Sequence, residues 1–147
     1  MGKTIKNMDE LAIALLPLMK DMVGELADRV EKTLNYFLQE YYNSYNPTSY
    51  RRQYDFLRSA VKVEPKIVGN KVTAYVYIDT DSMDNYYNAS GQQVAAWANQ
   101  GLHGGLAVGS RTPHVWDDTV KNTIDNGELL KLAVSFLRSK GIPVQIR

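Results

Sequence analysis

The chain has 147 residues, of which 17 are basic and 16 acidic, with 44% hydrophobic and 22% charged content and a net charge of +1. That balance fits one folded soluble domain and excludes both a disordered chain and one drawn to nucleic acid or membrane by bulk charge. No cysteine is present, which removes disulfides, thiol nucleophiles and cysteine-bound zinc.

Ten tyrosines stand against three phenylalanines. Tyrosine joins apolar area to a polar tip and is favoured at interfaces that must also stay soluble. The amino-terminal stretch has a short apolar run, but Asp9, Glu10, Pro17 and Lys20 flank or break it, so neither a signal peptide nor a membrane span is expected.

Residues 1 to 7 are polar. A helical pattern follows, with Asn7 or Asp9 as N-cap and acids in the first turn, where the helix dipole favours them. Leu11, Leu15, Leu18, Met22, Leu26, Val30, Leu34, Phe37, Tyr41 and Tyr45 recur every three or four residues, one stripe at helical period. Pro17 predicts a kink, or a short first helix and a new start. From Leu18 to Tyr45 the second piece would measure about 42 Å at ~1.5 Å per residue, long for a small body to cover. Glu25 with Arg29 and Asp28 with Lys32 place acid before base at i,i+4 on the polar face. The centre of the stripe is expected to pack on a sheet, whereas Tyr36, Tyr41, Tyr42 and Tyr45 fall on more than one face, leaving some for a partner chain.

Asn46-Pro47 ends the helix, because the residue before proline is pushed out of the α region. Thr48 or Ser49 could then cap a short helix from Tyr50 to about Ala60. Between Pro47 and Lys71 six basic residues (Arg51, Arg52, Arg58, Lys62, Lys66, Lys71) face two acids (Asp55, Glu64), a local +4. Residues 61 to 68 read as a strand in which Pro65 demands an edge or a bulge. Gly69-Asn70 is a turn, and 71 to 79 alternate, with Val72, Ala74, Val76 and Ile78 on one face and Thr73, Tyr75 and Tyr77 on the other. A hairpin alone is marginal, so its aliphatic face must be covered.

Residues 80 to 91 form a polar loop and 92 to 100 a short helix stopped by Gly101. Residues 101 to 113 hold four of the ten glycines, a mobile or tightly turning connection. Asp117 or Asp118 opens a further helical turn, and Glu128 to Ser139 form an amphipathic helix ended by Gly141. The tail, residues 142 to 147, alternates like a strand that could pair with the hairpin or reach a neighbouring subunit. The fold expected is α+β in a single domain, 1–147. A long N-terminal helix (8–45) packs on a body (47–147) built from a small antiparallel sheet (a hairpin at about 61–79 and a C-terminal strand) and two or three shorter helices.

No catalytic constellation emerges. His114 follows His103 by eleven positions through a glycine-rich loop, so they and Asp117 and Asp118 have no ligand spacing that fixes them on one face, and no metal is expected. Asp79, Asp81 and Asp84 lack the glycine and distal glutamate of a calcium loop. The glycine-rich loop has no phosphate-loop lysine, and no serine stands in triad relation to histidine and acid. The chain reads as non-enzymatic and without cofactor. Interleaved arginine and tyrosine at Tyr50-Arg51-Arg52-Gln53-Tyr54, with Arg58, could grip nucleic acid through phosphate contact and base stacking. The same residue types commonly anchor protein interfaces.

Tyr45-x-Pro47-x-x-Tyr50-x-Arg52, then Leu57 and Ser59, then a hairpin ending in an aromatic-aliphatic strand and Asp79, resembles small structural proteins encoded in the tail gene modules of tailed phages and prophages of Gram-positive bacteria. The preceding long helix is similar to that of phage tail-completion (head-tail joining, neck) proteins. The resemblance covers residues 8 to 80. It departs at Gln53, where such proteins often have threonine, and it does not extend over 92 to 147. It implies an α+β virion subunit without enzymatic activity, forming a homo-oligomeric ring at the head-proximal end of the tail: a tail-completion, neck or tail-terminator protein. Its partners would be other neck or tail proteins and the DNA passing through the ring, with no membrane, and it would reside in the host cytoplasm during assembly. Tyr41, Tyr42, Tyr45, Pro47, Tyr50, Arg52 and Tyr54 would then form the corner between helix and body or the inter-subunit contact. Arg51, Arg52 and Arg58 are the residues of the alternative, a nucleic-acid-binding module.

Overall fold

The computed structural model describes residues 4–46, 54–83, 89–107 and 111–147. It is an α+β fold, in the order α1 (Met8–Asn43), β1 (Ala60–Val68), β2 (Lys71–Ile78), α2 (Gly91–Asn99), α3 (Val115–Val120), a π-helical turn (Lys121–Asp125) and α4 (Glu128–Ser139).

Helix α1 starts as its sequence dictates: the Asn7 side chain accepts from the Glu10 amide at 2.9 Å, and Asp9 and Glu10 occupy the first turn. Its 36 residues span about 54 Å at ~1.5 Å per residue. Of the two outcomes expected at Pro17, a kink or a new start, the new start does not occur: the helix runs through Pro17. Pro17 and Ile13, whose carbonyl the ring deprives of its donor, are both exposed, so water can satisfy that carbonyl. The stripe buries Met22, Ala27, Leu34, Leu38, Tyr41 and Tyr42, and no side chain N-terminal of Met22 is buried.

Strands β1 and β2 form a two-stranded antiparallel sheet with Val68 opposite Lys71, closed by Gly69-Asn70. The register shifts between Val63 and Lys66, which is the bulge Pro65 demanded, and Pro65 is buried at it. The aliphatic face lies on α1: a Cβ at Gly24 would stand 3.6 Å from Pro65 Cγ, and Lys62 reaches back to Asp28. This pairing overrides the expected Asp28–Lys32 one. Neither it nor Glu25–Arg29 forms an ion pair, because tertiary packing presents Asp28 with a lysine that also holds Glu64, at 3.2 Å.

Two further expectations are corrected. Residues 55–58 form a single turn rather than the end of a helix, with Arg58 N donating to the Tyr54 carbonyl at 3.2 Å, and Ala60 already belongs to β1. The tail is not a strand. Ile142 N donates to the Leu137 carbonyl at 3.0 Å, and the Arg138 guanidinium donates to the Val144 carbonyl through Nε at 3.1 Å and Nη2 at 3.0 Å. These bonds fold the tail back on α4, so its alternation finds no ladder.

Helix α2 opens on a capping box between Ser90 and Gln93, and α4 has the bounds its periodicity predicts. Among the described residues Leu34, Leu38, Tyr41, Tyr42, Phe56, Ala98 and Val115 make one buried cluster, which Val76, Ile78, Val94 and Trp116 flank. The core thus sits at the C-terminal half of α1, where hairpin, α2 and α3 converge.

Candidate functional site: the aromatic corner and the outer face of the hairpin

Tyr41 and Tyr42 are consecutive on α1, yet both are buried. Side chains one residue apart on a helix diverge by ~100°, so both can be covered only where the body wraps the helix from two sides. On one side Tyr42 stacks on Tyr54 (centroids 5.7 Å apart) and its hydroxyl accepts from the Leu57 amide at 3.2 Å. On the other, the Tyr41 hydroxyl donates to the Leu102 carbonyl at 2.6 Å, and its ring stacks on His103 with centroids 4.2 Å apart and planes 15° apart. Phe56 meets both tyrosines. Tyr45 leans on the same imidazole at 5.1 Å.

Ser44 fixes the chemistry of His103. The Ser44 hydroxyl donates its single proton to the Tyr41 carbonyl at 2.7 Å, so in its 2.9 Å contact with His103 Nε2 the serine accepts and the imidazole donates. A serine poised for nucleophilic attack needs the opposite polarity, its proton directed to the histidine. This pair closes the helix end instead.

The loop that carries His103 is built for the task. His103 and Leu106 exchange backbone hydrogen bonds at 2.9 and 3.0 Å around Gly104-Gly105, whose φ values of 56° and 80° are those of a type I′ turn. A side chain at either central position would be strained, so the expected mobile or tight connection is tight as far as it is described. His114 lies apart, its Nδ1 donating to the Asn99 carbonyl at 2.9 Å, and Asn99 also exchanges two hydrogen bonds with Asp117. Both histidines thus have structural partners, and no group of three metal-ligating side chains converges among the described residues.

The predicted site residues therefore divide. Tyr41 and Tyr42 face inward as corner contacts, Tyr45 is half-buried against His103, and Tyr54 stacks on Tyr42 while 47% exposed. Arg58 is exposed. Pro47, Tyr50, Arg51 and Arg52 lie outside the described residues. His103, at the centre of the corner, was not singled out for it. Its partner Tyr41 is 62 residues away in sequence, and only a two-residue glycine turn beside a histidine hints at a loop shaped to present that ring.

Away from the corner, the outer face of the hairpin is aromatic and open. Val61 opposes Tyr77 and Val63 opposes Tyr75, with Tyr75 62% and Tyr77 43% exposed. No third strand pairs with either edge among the described residues. Exposed apolar sheet faces with free edges are ready surfaces for another chain.

Fold and corner together define an α+β protein in which one long helix is fastened at its C-terminal end to a hairpin body. Residues 7–139 match the model of the YomN family, which is most of the chain, and the protein belongs to that family. The family name derives from a prophage of the SPbeta type of Bacillus, and the protein is accordingly phage-associated. No curated protein and no solved structure matches the chain. No helix among the described residues is long and apolar enough to cross a membrane.

Proposed function

We propose that this protein is a non-enzymatic structural subunit of a phage virion, forming a homo-oligomeric ring at the head-tail junction as a tail-completion, neck or tail-terminator component. The observation that carries the reading is the open outer face of the hairpin, with Tyr75 and Tyr77 turned to solvent and neither edge paired among the described residues, in a phage-associated family. A monomer gains nothing from such a face; an assembly subunit uses it to meet a neighbour. The rigid corner supports the same reading. A ring transmits geometry from subunit to subunit, and the Tyr41–His103–Ser44 cluster fixes the angle at which the long helix leaves the body. Neighbouring copies, other neck or tail proteins and the DNA threading the ring are the partners, the virion is the final location, and assembly takes place in the host cytoplasm. Native mass spectrometry of the purified chain tests the ring. One discrete closed oligomer is expected, and a chain that stays monomeric at high concentration overturns the reading.

A further inference from the structure

Resting on the ring reading, we infer which two surfaces meet: the N-terminal part of α1 of one copy docks on the outer face of the β1–β2 hairpin of the next. Three observations converge on this pairing.

First, the apolar residues of α1 continue past the last buried side chain, Met22, and Met8, Ala12 and Ile13 are exposed there. The outer face of the hairpin is the matching apolar surface on the body, and its exposed tyrosines are among the residue types that anchor such contacts.

Second, the charges are complementary. Between Met8 and Asp21 the helix carries Asp9, Glu10 and Asp21 against Lys20, a net −2. The hairpin presents exposed Lys66 and Lys71, which have no ion-pair partner among the described residues, whereas Lys62 is held by Asp28 and Glu64. Acid on the helix and base on the sheet favour the contact between copies and disfavour helix against helix.

Third, the dimensions agree. Met8–Asp21 spans about 21 Å of helix at ~1.5 Å per residue, and the eight residues of β2 span about 26 Å at ~3.3 Å each. A contact between two different patches is heterologous, so each copy offers one patch forward and one back, the arrangement from which closed rings are built.

The test uses two full-length variants. D9K/I13K spoils the helix patch with good helix formers at exposed positions. Y75T/Y77T spoils the sheet patch while keeping β-branched side chains that suit a strand. Circular dichroism establishes that each folds like the parent. In native mass spectrometry each variant alone is expected to be monomeric, and an equimolar mixture is expected to yield a 1:1 dimer that neither forms alone, because one intact patch of each kind remains. If either folded variant still forms the parental oligomer, this interface is wrong while the ring reading stands. If the parent itself is monomeric, both fall. A mixture that stays monomeric contradicts the pairing of these two patches.

Discussion

Removing the hydroxyl of Tyr41 isolates the bond that ties α1 to the histidine loop. Tyr41→Phe keeps the ring on His103 and against Phe56 and deletes the donor that reaches the Leu102 carbonyl at 2.6 Å. The site is partly buried, so the abandoned carbonyl recovers water only in part. Leaving a buried acceptor unsatisfied costs about 1–3 kcal/mol, and partial hydration puts this site in the lower half, about 1–2 kcal/mol. For a chain of this size each kcal/mol moves the midpoint by ~2–4 °C, so the melting temperature should fall by about 2–8 °C. Thermal unfolding followed by circular dichroism reads this, with a urea titration whose slope should stay that of the parent. Tyr36→Phe is the control, since Tyr36 is exposed and its midpoint should not move. If Tyr41→Phe melts with the parent, the hydroxyl does not fasten the loop, and the corner is held by ring packing and the Ser44–His103 contact without it.

Other outcomes follow from the same geometry. Gly91→Ala would place a Cβ 2.1 Å from the Thr80 carbonyl oxygen, a clash with backbone, so the start of α2 must shift at a cost of about 1–3 kcal/mol or more, visible as a lower urea midpoint. Leu38 is fully buried in the core cluster, and Leu38→Ala should cost about 2–5 kcal/mol, a large part of the stability of an ordinary domain, and lower the melting temperature by about 4–20 °C. The Lys62 ammonium, hydrogen-bonded to Asp28 and then to Glu64, is held above the ordinary lysine pKa of 10.5. Its contribution is therefore fully present below pH 10.5 and lost as the pH rises through the higher folded value. The urea midpoints of the parent and Lys62→Met should differ by a constant amount from pH 7 to 9 and converge only in strong alkali. A gap that closes near neutrality would contradict the pairing.

Much of the architecture was readable in advance because it rests on local rules. The alternation of residues 71 to 78 separated an aliphatic face from a tyrosine face, Pro65 announced its bulge, Asn7 its cap, and Glu128 to Ser139 its helix. The errors arose where tertiary context outweighed a local preference. Pro17 predicts a kink or a new start, but a proline on the exposed side of a helix leaves the Ile13 carbonyl to water, and the helix does not restart. Asp28 had an i,i+4 lysine within reach and took Lys62 of β1 instead, a contact 34 residues away. The tail alternates like a strand, yet the backbone hydrogen bonds it makes are to α4. The tyrosines at the end of α1 stand out in the sequence, but the loop they meet does not, because contact between Tyr41 and His103 is a property of the folded chain alone. In sequence Tyr41 and Tyr42 read as contacts between subunits or within the corner, and both are buried inside the one chain. Their burial turns attention to Tyr75 and Tyr77, whose side of the sheet the alternation had already identified.

Whether this chain is a ring-forming component of a phage particle is decided by electron microscopy of purified particles together with mass spectrometry of their protein content. The chain is expected in the particles, as a ring of density at the head-proximal end of the tail. Complete particles that contain none of it would rule out a role as a virion component.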